Sequence, residues 1–427
     1  MSKIALIGPK ILLLFGELTK NVYLCNPNEV ILAYSKRVQK IDMFRKYVVT
    51  LLSLFFVIAA FAQSGRNSKI VSFKQLTKVE DYSRLPEASI CPIADTILAY
   101  QFPNGGWPLD QHWELSVLSE EDAERRAGFR KAIRENEACG TIQDGATTLE
   151  IFYLTKVFQK TGDTRYQEAA LRGIEYLLNM QYQNGGWPLC WPAKTGVLDQ
   201  EVAAYAEYIT FNGDAMINVM QLLKNIYENK PPYNLLNLDE SLRARSMAAF
   251  YKGVLCILDC QVKRGDQLTV WAQQYHQETL QPMKARGFEV PALTGCGETV
   301  RILSLLMDIQ EPSKRVLESV TAGVHWLEKN AIRHKKVLHY VNRDGLRDVK
   351  VSNSRDTTLV WNRYYDIETD RPFFSDYDGI QRESINDISY DLRNNYEWIS
   401  GTPDAIIKRY YRWIPGMRKR LRELNLQ

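Results

Sequence analysis

The stretch NMQYQNGGWPLCWP, residues 179–192, decides the fold because it nearly repeats AYQFPNGGWPLD, residues 99–110. Each copy contains Gln, an aromatic residue and the run Asn-Gly-Gly-Trp-Pro, and the two copies lie 80 positions apart. Two glycines and a proline disfavour the interior of a helix or a strand, so both copies are predicted to be loops. The occurrence of the same loop sequence at two positions indicates a repeated architecture.

Helices lead into these loops. In RYQEAALRGIEYLLNMQ, ahead of the second copy, Ala169, Ile174, Leu177 and Leu178 fall on one face at three- and four-residue steps. The Gly-x-x-x-Leu spacing of this helix returns in VLESVTAGVHWLEKNAI, which starts at Val316. Strand-like alternation is scarce, whereas further long amphipathic runs are TTLEIFYLTKVFQKTG, DAMINVMQLLKNIYENK, SMAAFYKGVLCILDCQVK and ETVRILSLLMDIQ.

An all-α chain with imperfect helix-pair repeats forms either an open solenoid or a closed ring of paired helices. The long polar loops favour the ring, because there they gather at one mouth and form a cleft. We therefore predict an all-α toroid, or α/α barrel, of paired helices. The repeated loops would mainly end helices, although the first copy precedes His112 and Trp113 and could line the cleft with Trp107, whose flat ring suits a sugar.

The first 62 residues are predicted to lie outside the folded domain. From Met43 the chain reads MFRKYVVTLLSLFFVIAAFAQSG, with two basic residues, an apolar run too short for a confident membrane span, and an Ala-Phe-Ala cleavage pattern. Residues 43–62 are therefore predicted to be a signal peptide, residues 1–42 a spurious or extra extension, and residues 63–427 one catalytic domain. Export implies a secreted or periplasmic protein without a stable membrane anchor, and we expect a monomer.

Charge and cysteine content weigh against a nucleic-acid-binding protein and against a fold held together by disulfides. The chain of 427 residues has 54 basic and 50 acidic residues, of which residues 1–62 hold eight and three. The remaining 46 basic and 47 acidic residues give a net charge of −1, which is not the signature of a nucleic-acid-binding protein. The six widely spaced Cys beyond residue 62 are not a disulfide framework. Cys256 and Cys260, four apart on a helical pattern, are predicted core residues.

Two acidic residues precede predicted helices. TIQDGATTLEIFYL places Asp144 ahead of one helix, and YITFNGDAMINVM places Asn212 and Asp214 ahead of another. Asp followed by Gly and Thr is also a common helix cap or turn. If the two helix starts meet in space, their oxygens suit calcium, so Asp144 and Asp214 are the candidate metal ligands. The five His are scattered and give no zinc-site spacing.

Two aromatic-rich segments carry the cationic candidates. WAQQYHQETLQPMKARGFEVPALTGCGETV contains Lys284 and Arg286, and DTTLVWNRYYDIETDRPFFSDYDGI adds Arg363. Because the guanidinium fork of arginine fits carboxylates, these three residues together would seat an acidic ligand. The alternative is a buried ion pair with Glu289.

In this order, NGGWP, DGATT, ITFNGDAM, LQPMKARGFE, NRYYDIETDRPFFS and the late YEW resemble the pectate lyases of polysaccharide lyase family 10, over about residues 102–398. The resemblance implies an incomplete ring of paired α-helices with a cleft that binds polygalacturonate, an acidic polysaccharide. It also implies a β-elimination assisted by calcium with an arginine as the Brønsted base, and Arg286 stands at that arginine's place. We expect substrate contacts from Lys284, Arg363, Trp107, Trp271 and Tyr377.

The chain departs from the family pattern at four places. It has QDGAT at 143–147 where the family has Asp-Asn-Gly-Ala-Thr, and NGD at 212–214 where the family has Asn-Asp-Asp. A Cys-Ala-Gln-His-Asp run has become AQQYH at 272–276. Tyr377 stands where a substrate-binding arginine precedes Asp-Gly. The base and the scaffold match the family more closely than the residues for calcium and for substrate carboxylates.

Other functions remain compatible with this sequence. Asp144 and Asp214 could be the two carboxylates of an α/α-barrel glycoside hydrolase acting on an acidic polysaccharide. Both repeats satisfy the Gln-x-x-x-Gly-x-Trp motif of helical-ring terpene cyclases, but the chain has no Asp-x-Asp-Asp motif to protonate a terpene. A non-catalytic pectin-binding relative of the lyases is the third alternative, because of the four departures.

Overall fold

The computed structural model describes residues 72–424 except 111, 138 and 194–199. Residues Ser72–Gln427 form one compact unit. The predicted extension, 1–42, and the predicted signal peptide, 43–62, lie outside the described residues, so both stay predictions. No helix within the described ranges is long and apolar enough to cross a membrane.

Twelve α-helices and fourteen strands occur in the described residues. The helices are α1 (Phe73–Leu76), α2 (Glu87–Ala99), α3 (Glu120–Arg134), α4 (Thr148–Thr161), α5 (Thr164–Asn179), α6 (Gln200–Ala203), α7 (Ala215–Tyr227), α8 (Glu240–Cys260), α9 (Glu298–Met307), α10 (Lys314–Lys329), α11 (Tyr390–Asn395) and α12 (Pro403–Leu424). The strands are β1 (Gly140–Thr141), β2 (Cys190–Trp191), β3 (Ile209–Thr210), β4 (Lys263–Arg264), β5 (Gln267–Leu268), β6 (Gln274–Tyr275), β7 (Leu293–Thr294), β8 (Lys335–Val341), β9 (Arg347–Asn353), β10 (Trp361–Asn362), β11 (Tyr364–Tyr365), β12 (Pro372–Ser375), β13 (Gln381–Arg382) and β14 (Ile399–Ser400).

The long helices form two layers. Helices α4, α7 and α9 contact one another in succession and form the inner layer, while α2, α5, α8 and α10 contact one another in succession outside them. Each inner helix packs on an outer partner, α4 on α5, α7 on α8 and α9 on α10. The predicted all-α architecture, an incomplete toroid of paired helices, is therefore confirmed. Cys256 and Cys260 on α8 are buried, as predicted.

Most strands are short pairings between loops. A four-stranded sheet has the order β13-β12-β11-β7, and the other described sheets have two strands each. Strands β8 and β9, of seven residues each, form the longest hairpin, with Val337 opposite Val351. This hairpin was not expected from the sequence.

The repeated loops tie successive outer helices together through a glutamine. Nε2 of Gln101, just beyond α2, donates to the carbonyl oxygen of Ala169 on α5 at 2.9 Å. Nε2 of Gln181 makes the same bond to α8, at Ala249, also at 2.9 Å. A third copy, which sequence comparison missed, uses Gln261 and reaches Ser319 on α10 at 3.1 Å. One residue type therefore performs the same helix-to-helix connection three times.

Four tryptophans pack inside the helical ring, each against an outer helix. The indole nitrogens donate to carbonyl oxygens at the end of the preceding outer helix, at 2.7–2.8 Å: Trp107 to Ile97, Trp187 to Leu177, Trp271 to Ile257 and Trp361 to Leu327. All four side chains are fully buried. The expectation that Trp107 and Trp271 contact substrate is corrected by this burial, because neither indole has a ring face available to a sugar.

Glycines on the outer helices make room for these tryptophans. A Cβ atom added to Gly173 on α5 would lie 2.7 Å from Cζ3 of Trp107 and 2.7 Å from Cγ1 of Ile151, both of which are buried. We expect Gly173→Ala to destabilise the fold by about 1–3 kcal/mol, the usual cost of overpacking a core. Thermal unfolding by circular dichroism measures this loss.

Gly128→Ala is the matched control, because Gly128 lies inside α3 and an added Cβ meets nothing within 4 Å. Alanine there should stabilise the helix by about 0.5–1 kcal/mol. If both variants unfold at the wild-type temperature or above, the tryptophan does not pack as described.

Candidate active site

The three inner helices begin at one cleft. A 3₁₀ turn at Gln143–Gly145 precedes α4, another at Asn212–Asp214 precedes α7, and Glu298 is the first residue of α9. The first two turns pack against each other, and the second also contacts α9. The prediction that two acidic helix starts meet in space is therefore correct. Three helix N-termini in one place favour negative charge on a ligand.

Asp144 presents its carboxylate to this cleft. Its backbone is left-handed, with φ 50°, and its side chain is exposed. A Cβ atom added to Gly213 would lie 2.9 Å from Oδ1 of Asp144, so this carboxylate fills the space that a longer side chain at 213 would occupy. Where the two turns meet, the chain thus has one carboxylate, that of Asp144 in the first turn.

Asp214 faces a different partner. Its Oδ2 lies 3.1 Å from Nε of Arg301 on α9. Burial raises the pKa of Asp214, and the Arg301 guanidinium opposes this shift. Asp214 is therefore already paired with a cation from α9, whereas no such pair is seen for Asp144 among the described residues.

A cavity of about 310 Å³ lies beside these turns. Its wall combines carboxylates, amides, phenols and one guanidinium: Asp144, Glu289, Gln143, Asn212, Gln274, Asn395, Tyr205, Tyr208, Tyr396 and Arg286. This lining is polar and carries both signs of charge, so it can hydrogen-bond hydroxyl groups and pair with a charged ligand. Lys284, Arg363, Tyr377 and Asp214 are outside this lining.

Arg286 is the cation of the cavity wall. Its side chain is 31% exposed, and its Nε lies 3.6 Å from Oε1 of the buried Glu289. Asn212 holds Glu289 in place by donating from Nδ2 to the same oxygen at 2.7 Å. The predicted alternative of an ion pair with Glu289 is thus present, but it leaves Arg286 facing the cavity, and Nε of Arg286 is a buried atom without a hydrogen-bond partner in the described chain.

The charges around Arg286 raise its pKa. Burial alone would lower the pKa of the guanidinium, but Glu289, Tyr205, Tyr396 and Asp144 act in the opposite direction, and the net shift is upward. Arg286 is therefore held protonated more firmly than an arginine in water.

Arg363 lies behind the cavity wall. Its terminal nitrogen is 3.5 Å from Oε1 of Glu298 and 3.5 Å from Oδ1 of Asn212, and its side chain is 16% exposed. The guanidinium also lies over the ring of Tyr396, 5.8 Å from the centroid. Burial would lower the pKa of Arg363, but the Glu298 carboxylate together with Tyr364 and Cys296 outweighs this effect, so its pKa is raised. Arg363 is thus a permanent positive charge next to the cavity.

Lys284 and Tyr377 lie at the outer rim. A Cβ atom on Gly287 would meet the Tyr377 carbonyl oxygen at 2.3 Å, and one on Gly379 would lie 2.9 Å from Nζ of Lys284, so the two loops are in close contact. Both side chains are exposed. They can reach a ligand that extends beyond the cavity.

Several contributors were not assigned from the sequence: Glu298, Arg301, Tyr205, Tyr208, Gln274 and Asn395. Glu298 is an acidic residue at a helix start, as are Asp144 and Asp214, and could have been found by that signal. The others enter the site through packing between distant segments, and Tyr396 was noted only as part of the YEW motif.

Comparisons with known proteins identify a family for the chain. A family model described as Pectic acid lyase matches residues 101–407. A solved family 10 polysaccharide lyase from Cellvibrio cellulosa is 29% identical with a TM-score of 0.62, over 78% of this chain and 94% of that chain. An aspartate-to-alanine mutant of a family 10 polysaccharide lyase from the same organism, in complex with trigalacturonic acid, is 27% identical with a TM-score of 0.63, over 81% of this chain and 99% of that one. No curated protein matches the chain significantly.

Proposed function

The chain belongs to the pectic acid lyase family and is a polysaccharide lyase, and from this premise we propose that it cleaves polygalacturonate by a calcium-assisted β-elimination in which Arg286 is the Brønsted base. The observation that carries the proposal is the position of Arg286, half-buried in the cavity wall with an unpartnered Nε and with Asp144 and Glu289 beside it. The likeness to a lyase structure that holds trigalacturonic acid supports an acidic polysaccharide as the substrate.

The elimination needs a base and a neutralised carboxylate. The neutral guanidine of Arg286 takes the proton from C5, the carbon that bears the uronate carboxylate. The electron pair left on C5 forms the C4–C5 double bond as the bond from C4 to the glycosidic oxygen breaks, and the leaving oxygen takes a proton from solvent. Positive charge near the uronate carboxylate lowers the barrier to losing the C5 proton, and Arg363 and Lys284 are the side chains placed to supply it.

Calcium fits this cleft as a bridge between protein and substrate. Among the described residues no cluster of three or more His, Cys, Asp or Glu is arranged to hold a metal ion. Asp144, however, offers an exposed carboxylate at the point where the turns meet, with no hydrogen bond to it from the part of the chain that the structure describes. Calcium takes oxygen ligands of this kind. Asp144 would hold the ion together with substrate carboxylates, and Asp214 would join only by leaving Arg301. When bound, calcium supplies positive charge that stabilises the uronate as it loses its proton.

Glu289 is expected to set the pH dependence of the reaction. A base is active above its pKa, and the Glu289 carboxylate raises the pKa of Arg286, so activity should rise into the alkaline range. Glu289→Gln removes the negative charge and should therefore lower the pKa of Arg286 and shift the rising limb of kcat/KM to lower pH by about one unit. A pH profile of product formation measures the shift.

Glu298→Gln is the matched control, because Glu298 is an equally buried carboxylate that raises the pKa of Arg363 and not that of Arg286. Its rising limb should coincide with that of the wild type. A rising limb that shifts to higher pH in the Glu289 variant, or that shifts equally in both variants, would contradict the assignment of the base.

Hydrolysis is the competing chemistry. A glycoside hydrolase would need Asp144 and Asp214 as acid and base, but Asp214 is paired with Arg301. Counting new reducing ends and unsaturated ends on one digest decides between them. Elimination gives one unsaturated end for each new reducing end, whereas hydrolysis gives reducing ends alone.

Export to the periplasm or the exterior stays a prediction, since residues 43–62 lie outside the described chain.

A further inference from the structure

The β8–β9 hairpin is a local concentration of positive charge. Its strands contain four basic residues, Lys335, Lys336, Arg347 and Lys350, and a single acidic residue, Asp348. Asp348 is buried and pairs with Arg393 of α11, with Nε 2.7 Å from Oδ1. The Arg393 guanidinium holds the pKa of Asp348 below its usual range. Asp348 is therefore ionised, and the positive charge of Arg393 balances its negative charge. The exposed charge on the strands is therefore positive.

An aromatic ring accompanies this charge. Strand register places Tyr340 opposite Asp348 and Leu338 opposite Lys350, so these four side chains share one face of the hairpin. Nζ of Lys350 lies 4.9 Å from the centroid of the Tyr340 ring, and Tyr340 is 36% exposed. A uronate sugar has an apolar ring face and one carboxylate. A tyrosine ring beside an ammonium group matches both features.

The path from the cavity to this hairpin begins at Phe288. Its ring is 4.7 Å from that of Tyr396, which lines the cavity, and 6.1 Å from that of Tyr377, which is 54% exposed. The Tyr377 hydroxyl donates to the Asp391 carboxylate on α11. The rim of the cavity is thus joined directly to α11.

Helix α11 completes the path. The hydroxyl of Tyr390, which is 40% exposed, donates to the carbonyl oxygen of Arg347 on β9 at 2.6 Å. The Arg393 guanidinium lies 5.8 Å from the centroid of the Tyr390 ring. A six-residue helix is about 9 Å long, so the hairpin surface starts within a short distance of the cavity rim.

We propose that Tyr377, Tyr390, Tyr340 and Lys350 form a distal binding surface, here called the tyrosine track, for the part of an anionic polysaccharide chain that extends out of the cleavage cavity. The inference rests on the proposed function for the identity of the polysaccharide. A track of exposed rings with neighbouring cations binds successive uronate sugars without contacting the reacting bond. The enzyme should therefore favour long chains over trimers.

The test compares two matched double variants. Tyr340→Ala with Lys350→Ala removes the far end of the track, whereas Tyr411→Ala with Lys314→Ala removes an exposed tyrosine and an exposed lysine elsewhere. The hydroxyl of Tyr340 donates to the Asp348 carboxylate, and that of Tyr411 donates to the Glu328 carboxylate. We expect the track variant to raise KM for polygalacturonate about five- to tenfold, roughly 1–1.4 kcal/mol of binding. Its kcat, its KM for trigalacturonate and all constants of the control should stay at wild-type values.

Lys350→Glu provides a second variant if the double variant unfolds, because Lys350 is exposed and reversing its charge should weaken binding of the long chain more strongly at low salt than at high salt. An unchanged KM for the long chain, or an equal rise for the trimer, would overturn the track. Retention in a polygalacturonate affinity gel separates the two proposals. If the track variant is no longer retained by the gel and the wild type forms no unsaturated product, the tyrosine track is supported and the lyase activity is rejected.

Discussion

Replacing Arg286 with alanine is expected to lower kcat for polygalacturonate by about 10³-fold, the typical contribution of a positioned general base. In the proposed mechanism this guanidine accepts the C5 proton, and its Nε is unpartnered in the described chain. KM should change much less, because Arg363 and Lys284 remain to attract the uronate carboxylates. Steady-state kinetics by absorbance of the unsaturated product, with circular dichroism to verify folding, measures both constants.

Arg315→Ala is the control for this loss. Arg315 is an exposed arginine of the outer helix α10, paired with Asp259 on α8, and it does not line the cavity. Its removal should leave kcat at the wild-type value. A folded Arg286 variant that keeps more than a tenth of wild-type kcat would mean that another group takes the proton.

The second large effect is expected at Asp144. Asp144→Asn keeps the shape of the turn but removes the exposed carboxylate, so the calcium concentration for half-maximal activity should rise at least about tenfold, or about 1.4 kcal/mol. Activity at limiting calcium should then fall in proportion and partly recover when calcium is raised. A calcium titration of product formation gives this value directly.

Asp214→Asn provides the comparison at the neighbouring turn. Because Asp214 is already paired with Arg301, its replacement should raise the half-maximal calcium concentration less than the change at Asp144 does. Equal and unchanged calcium curves for the wild type and both variants would contradict a calcium site at these turns. A larger effect at Asp214 would mean that it leaves Arg301 when the substrate binds.

The helical ring was predictable because its signals are local. The amphipathic period of each long helix and the repeated Asn-Gly-Gly-Trp-Pro loop both lie within short windows of sequence. The third loop escaped comparison because the β4–β5 hairpin separates Gln261 from Trp271 by ten positions, whereas Gln101 and Trp107 are six apart. Its hydrogen bonds nevertheless repeat those of the other copies.

The β8–β9 hairpin was missed for a different reason. Alternation identifies a strand when one face is apolar and the other polar, but Val337, Leu338 and Tyr340 place apolar side chains on both faces of β8. The period of two is therefore hidden. The contact of the hairpin with α11, some forty positions away, cannot be read from either segment alone.

The candidate site was predictable in its chemistry and less so in its contacts. Arg286, Asp144 and Asn212 line one cavity, whereas the sequence grouped Arg286 with Lys284 and Arg363, and Asp144 with Asp214. Trp107 was misassigned because a tryptophan beside two glycines looks the same in sequence whether its ring is buried or exposed. Asp214 could not be recognised as ion-paired, because Arg301 lies on another inner helix.

The most direct test of the account is the formation of unsaturated uronide from polygalacturonate, followed by ultraviolet absorbance with calcium or with a chelator, at neutral and at alkaline pH. The account predicts an absorbance increase that requires calcium, is faster at alkaline pH and is abolished by Arg286→Ala. New reducing ends without absorbance, or no product under any of the four conditions, would contradict it.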